Sequence, residues 1–156
     1  MKKAIILDSV DRRILAELQA DGSISHAELA LRVGSSPAST WRRIRSLEAS
    51  GVLTGTVRLV DAEKVGCAVN VLCNVRVRNH SREMRAGFED LVRSRPEVME
   101  VYSMSGDWDY LLRIVVGGVS DYENFLMQVL LDHPSVGGAS SHFALSLTKY
   151  TTAIPV

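Results

Sequence analysis

Ser36-Pro37-Ala38-Ser39-Thr40-Trp41-Arg42-Arg43-Ile44-Arg45-Ser46-Leu47-Glu48-Ala49-Ser50-Gly51 reads as one helix with a start, a body and a stop. The Ser36 hydroxyl can accept from a free amide of the first turn. Pro37 stands at the first helical position, where a missing N–H costs nothing. Gly51 follows the last periodic residue and suits the left-handed conformation that closes a helix. Trp41, Ile44 and Leu47 recur at three-residue steps and form the stripe that wants a core. Ser39, Arg42, Ser46 and Ala49 fall opposite, flanked by Ala38, Arg43 and Arg45. Small residues followed by arginines suit a helix laid in the DNA major groove, with short side chains at base edges and guanidiniums at phosphates or guanine. Taken alone, the same pattern also fits a solvated amphipathic helix, so its neighbours decide.

Upstream, Val10, Ile14, Leu15 and Leu18 recur at helical spacing after a cap at Asp8 or Ser9, and Asp21-Gly22 ends that helix. Ser25-His26-Ala27-Glu28 is a capping box, opening a helix that turns Leu29, Ala30 and Val33 inward and stops at Gly34. Two helices across a glycine-bearing turn, the second one basic, make a helix-turn-helix unit. Downstream, residues 52–60 read as two short strands around Gly55, a small wing that offers Arg58 to phosphate.

Composition excludes several classes. The chain has 156 residues and is 46% apolar, enough for one ordinary domain or two small ones and too apolar for disorder. Its formal net charge is zero, which argues against a polyanion-coating protein. Residues 1–65 hold ten basic and eight acidic residues of the 18 of each sign, a mild asymmetry made significant by the arginines clustered on one helix. Cys67 and Cys73 read as same-face residues of one strand, roughly 20 Å apart at the usual rise, too far to bridge; free thiols in a reducing compartment are expected. No apolar run approaches the roughly 20 residues needed to span a bilayer, and Ala4-Ile5-Ile6-Leu7 is too short for a signal peptide, so a cytoplasmic location is expected.

Residues 61–66 form a polar hinge, dividing a domain at 1–60 from one at 67–156. Beyond the hinge, Val69, Val71, Cys73, Val75 and Val77 alternate as in a strand. Ser81 caps a helix burying Met84, Phe88, Leu91 and Val92 and stopped by Arg95-Pro96. Strands at 98–105 and 110–116 flank Gly106-Asp107-Trp108-Asp109. Ser120 or Asp121 opens a helix with Phe125, Leu126, Val129 and Leu130 inward, and a last strand is expected over 140–150. The order β-α-β-β-α-β is the ferredoxin-like plan, an antiparallel sheet with both helices on one face. The fold class is therefore α+β. The second sheet face, with Leu72 out of phase with its neighbours, is expected to be apolar and to mediate homodimerisation.

Leu7-Asp8-Ser9-Val10-Asp11-Arg12-Arg13-Ile14-Leu15, Leu29-Ala30-Leu31-Arg32-Val33-Gly34, Arg42-Arg43-Ile44-Arg45-Ser46-Leu47-Glu48 and Ser50-Gly51-Val52-Leu53 resemble the Lrp/AsnC (feast/famine) family of transcriptional regulators. Met104–Arg113 and Lys149–Thr152 extend the resemblance over nearly the whole chain, to that family's RAM/ACT-like effector domain. Two departures stand out: Ser35 where a leucine is usual, and Thr56-Val57 where tyrosine-alanine follows the wing glycine.

The Gly106-Asp107-Trp108-Asp109 turn admits a metal through its two aspartates, a ligand's ammonium group, or no ligand, since Asp and Gly are good turn formers. The metal reading lacks a third and fourth donor at a sensible spacing. The resemblance favours the ligand, because such regulators bind a small effector, usually an amino acid, where this hairpin meets the start of a neighbouring subunit's last strand. Met104, Ser105, Gly106, Asp107, Trp108 and Asp109, with Ala139, Ser140 and Ser141 in the segment beginning at Gly138, are then the effector candidates. His26, His80, His133 and His142 share no ligand or base spacing, and neither a Gly-x-Ser-x-Gly elbow nor a phosphate loop is present. The expectation is a sequence-specific DNA-binding transcriptional regulator of double-stranded DNA, with no catalytic residues, metal or cofactor. DNA-contact candidates are Ser36, Ala38, Ser39, Thr40, Arg42, Arg43, Arg45 and Arg58, of which Ser39, Thr40 and Arg43 are assigned to base edges. A homodimer assembling further to an octamer is implied by the resemblance alone. The alternatives are an architectural DNA binder without an effector and a ferredoxin-like small-molecule enzyme.

Overall fold

A computed structural model of the chain describes residues 6–156; Met1 to Ile5, the head of the expected first domain and part of its short apolar run, lie outside the described residues. The chain forms two compact units, one running to Leu59 and including Lys149–Val156, the other spanning Val60–Thr148.

In the first unit, α1 (Ser9–Ala20), α2 (His26–Val33) and α3 (Pro37–Ala49) are each started by a side chain. The Asp8 carboxylate accepts from the Val10 and Asp11 amides at 2.9 and 2.8 Å, and Asp11 returns the bond to the Asp8 amide at 3.2 Å. Ser25 and Ser36 each accept from the amide three residues on, at 3.2 Å. The reciprocal bond expected from Glu28 is replaced by an ion pair with Arg32 at 3.0 Å. Gly34 turns the chain between α2 and α3 at φ +67°, a conformation that L side chains rarely adopt. Residues 149–156 fall with this unit although the sequence reading puts them in the second domain. The Gln19 amide holds the Ile154 backbone on both sides, donating to its carbonyl at 3.0 Å and accepting from its N–H at 2.6 Å.

Ile14, Leu15, Leu29, Val33, Ile44 and Leu47 make the core of this unit. Two expectations fail here. Trp41 does not join the core; it is 52% exposed, and Thr40 is fully buried in its place. The row Thr40, Ile44, Leu47 follows the i, i+4, i+7 spacing that tracks one helix face, whereas Trp41 heads the adjacent row. The wing strands do not form either: residues 54–60 are exposed and form no strand. A lone two-stranded hairpin is marginal in water, and Val57 and Leu59, at 80% and 63% exposure, find no core to enter.

The second unit is built as β1 (Val69–Val77), α4 (Arg82–Arg93), β2 (Val98–Ser103), β3 (Tyr110–Val116), α5 (Val119–Asn124) and β4 (Val136–Phe143). The sheet order is β2-β3-β1-β4 with every pair antiparallel, the ferredoxin-like arrangement. Alternation along β1 sends Val71, Cys73, Val75 and Val77 to the helix side, where they pack with Phe88, Leu112, Ile114, Tyr122, Phe125 and Leu130. Gly118, with no capping side chain, precedes α5 in place of Ser120 or Asp121. Past Asn124 the helix widens, so that the Leu131 amide bonds the Leu126 carbonyl five residues back, at 2.9 Å.

Three further expectations are corrected. Cys67 lies outside β1, so the thiols do not share a strand; both are free. The last strand begins at Val136, not Ser140, and ends at Phe143. Gly137 thus lies within it, where a Cβ would stand 3.2 Å from the Arg78 Cα and crowd that backbone. The open sheet face is mixed, not apolar. Register puts Asn70, Asn74, Arg76 and Arg113 on the same side as Leu72, Leu111 and Val115. There Glu100 accepts from Tyr102 at 2.6 Å and from Arg113 at 2.7 Å.

Candidate functional site

On the first unit, burial of Thr40, Ile44 and Leu47 orients α3 so that Ala38, Arg42, Arg45 and Ala49 face outward together. Among the described residues Arg42 makes no ion pair, and its guanidinium is available for an anion. Arg45 is held by Glu48 at 3.0 Å and lies 5.9 Å from the centre of the Trp41 ring. Ser36, Pro37, Ala38, Ser39, Trp41 and Arg42 line an open concavity together with His26 at the start of α2. Arg58 is exposed on the unpaired segment at 54–60.

Two of the three residues assigned to base edges are occupied otherwise. Thr40 is 0% exposed, and its hydroxyl, without a hydrogen-bond partner, points into the core. Arg43 folds back across the unit, donating to Asp8 and Asp11 at 2.7 Å each. These bonds, with Asp11 first and Asp8 second, hold its pKa above the ordinary arginine value. Asp8 is correspondingly held below the usual carboxylate range, by the Asp11 amide first and Arg43 second. Arg43 therefore joins α3 to the cap of α1. Its helical position gave no sign of this, since Asp8 and Asp11 lie more than thirty residues away.

On the second unit, residues 104–109 close the β2–β3 hairpin, with the Met104 amide bonded to the Asp109 carbonyl at 2.8 Å. Asp109 is mainly structural: one carboxylate oxygen accepts from the Val77 amide at 2.8 Å, and the other stands 3.5 Å from His80 Nδ1. Asp107 is exposed, and its carboxylate makes no ion pair among the described residues. Arg76 donates to the Asp107 carbonyl at 2.9 and 3.2 Å and lies over the Trp108 ring at 4.9 Å. Arg76 and His80 were missed in the sequence. The alternation of β1 gives the side on which Arg76 lies, but only the sheet order reveals which loop is its neighbour.

The second candidate segment lies on the other flank of β1: Ala139, Ser140 and Ser141 pair with Val75, Asn74 and Cys73. One chain thus leaves the two candidate halves a strand apart, about 10 Å at the usual spacing. Ser140 projects to the open face beside His142, at 3.4 Å. Ser141 projects inward and shares a hydrogen bond with the buried Tyr122 hydroxyl, near the Cys73 thiol. Burial pushes the Tyr122 phenol far above its ordinary range and raises the Cys73 thiol as well. Among the described residues no group of three or more His, Cys, Asp or Glu side chains is placed to hold a metal ion.

Comparison with known proteins adds an independent finding. Residues 7–48 match the family model described as an AsnC-type helix-turn-helix domain, and residues 70–154 match that of the Lrp/AsnC ligand binding domain. The chain is 34% identical over 151 residues to the DNA-binding transcriptional activator DecR of Escherichia coli K12, covering 97% of this chain and 99% of that protein. It superimposes with a TM-score of 0.93 on a Neisseria meningitidis transcriptional regulator solved in complex with L-methionine, at 33% identity, over 96% of this chain and 97% of that one. An AsnC family transcriptional regulator from Agrobacterium tumefaciens is 41% identical, with a TM-score of 0.90 and the same coverage.

Proposed function

This chain belongs to the Lrp/AsnC family of transcriptional regulators, with a DNA-binding helix-turn-helix and a ligand-binding domain, and on that premise we propose which residues perform each task. The observation that carries the DNA assignment is the outward row Ala38, Arg42, Arg45 and Ala49 on α3, opposite a buried row. In this reading α3 lies in the major groove, with Arg42 as its principal anion or guanine contact and Ala38 allowing close approach. Ser36, Ser39, Arg45 and Arg58 act at its margins, mostly on phosphates. Thr40 and Arg43 take no part in base reading.

We further infer an amino-acid effector at the 104–109 hairpin, completed by residues 139–141 of another copy. Support comes from the relative solved with L-methionine and from the separation of the two halves within one chain. Asp107 faces the ammonium group, hairpin amides and the Ser140 hydroxyl face the carboxylate, and Met104 or Trp108 faces the side chain. A homodimer follows from the same logic, and its further assembly to an octamer is inferred from the family alone. Leu145 and Leu147, at 99% and 70% exposure, leave apolar surface that a second copy would cover. Effector bound between copies then alters the spacing of the two reading helices, coupling two sites. The chain acts in the cytoplasm, where its DNA is, without catalysing a reaction, as the regulators it is related to suggest.

One pair of measurements tests this reading. Arg42→Ala should weaken binding to duplex DNA and reduce the slope of log affinity against log salt by about 1; an unchanged slope removes Arg42 from the interface. A thermal-shift screen of the twenty amino acids should yield at least one that raises the melting temperature, and whose effect is lost in Asp107→Ala. If none does, the effector assignment falls and the architectural alternative takes its place.

A further inference from the structure

Viewed down α3, successive side chains are 100° apart. With Thr40, Ile44 and Leu47 in the core, Trp41 sits on one shoulder of the outward row, beside Arg45, and Ser39 and Ser46 sit on the other. About half of Trp41 lies in solvent, the rest resting on its own unit. The indole forms one wall of the concavity shared with His26, Ala38 and Arg42. A large apolar plane is therefore held next to the cations assigned to DNA, on a helix whose outward row begins and ends in alanine. Trp41 carries no charge to meet a phosphate. Of the groups on major-groove base edges, the thymine 5-methyl is the one whose chemistry matches an apolar plane.

We propose that Trp41 is a specificity-determining residue, its indole covering a thymine methyl at the edge of the base pairs that Arg42 faces. The assignment rests on α3 being the reading helix. Arg45, close to the indole and paired with Glu48, sets the ring's orientation from the protein side.

The test uses the full chain and a duplex selected by it from a randomised library. Each thymine of the selected site is replaced singly by deoxyuridine, which removes the methyl group and leaves base pairing intact, and affinity is read by fluorescence anisotropy. The native protein should bind about three- to fivefold more weakly when one particular thymine per half-site loses its methyl. Trp41→Ala should bind the two duplexes equally, and Trp41→Phe should keep part of the difference. Trp41 projects from the surface, so both variants should fold, as an unchanged melting temperature would verify. The proposal is overturned if Trp41→Ala keeps the full thymine preference, or if no single methyl matters to the native protein. Arg42→Ala separates the two readings: uniform weakening on both duplexes supports α3 as the reading helix whatever Trp41 does. If no duplex is selected at all, both readings fail together.

Discussion

Arg42 and Arg43 are adjacent in sequence and opposite in circumstance. Arg42 lies open to solvent, while Arg43 is 29% exposed and bonded to two carboxylates at 2.7 Å. A helix rotates 100° per residue, which carries one guanidinium outward and turns the next toward α1. Arg43→Ala should therefore lower the melting temperature by a few degrees and leave the salt dependence of DNA binding nearly unchanged. The pH dependence has a definite sign. Asp8 has its folded pKa lowered from 3.8, so its contribution is present above that value and is lost as pH falls through the lower folded pKa. The stability gap between native protein and Arg43→Ala should persist at neutral pH and close in acid, as melting curves between about pH 2 and pH 7 would record. A gap that stays constant would mean that the ion pair is not its source.

At the scale of elements, the turn between α2 and α3 sets the angle at which α3 leaves α2. Gly34 adopts φ +67°, and a Cβ added there would meet nothing within 4 Å. The cost of a side chain at this position is thus backbone strain alone, without a clash. Gly34→Ala should destabilise the first unit by about 1 kcal/mol, read as a lower urea midpoint with an unchanged slope. A loss of several times that size would show that the turn makes contacts beyond its own conformation. The sheet is organised by β1, which is flanked on both sides and separates the 104–109 hairpin from residues 139–141. On its helix side, Ser141 is bonded to Tyr122. Of the two serines in that segment, only Ser140 presents its hydroxyl to the open face.

For the whole molecule, the decisive feature is that two separate cores are formed. One is centred on Ile14, Leu29 and Leu47, the other on Val71, Phe88, Leu112 and Leu130. Scanning calorimetry should resolve two transitions. Leu29→Ala, removing a fully buried side chain, should destabilise one unit by about 2–5 kcal/mol, and Phe88→Ala the other by about 3–5 kcal/mol. Each substitution should move its own transition and leave the other in place. A single transition shifted by both would mean that the units unfold as one body.

Much of this architecture could be read from the chain before any coordinates. The caps at Ser25, Ser36 and Ser81 are bonds closed within three residues, so sequence alone determined where those helices start, and it narrowed the start of α1 to Asp8 or Ser9, of which Asp8 is the cap. The alternating valines of β1 likewise determined a strand with one buried side. Tertiary structure decided what depends on distant partners: Thr40 over Trp41 in the core, Arg43 drawn to Asp8 and Asp11, and a wing left unpaired. It also gave the open sheet face its mixture of leucine, arginine and glutamate, and set the two candidate effector segments on opposite flanks of β1. Periodicity specifies that a helix or strand has two sides, but which residues at the boundary turn inward depends on the surface packed against them. That surface is made of residues far away in sequence.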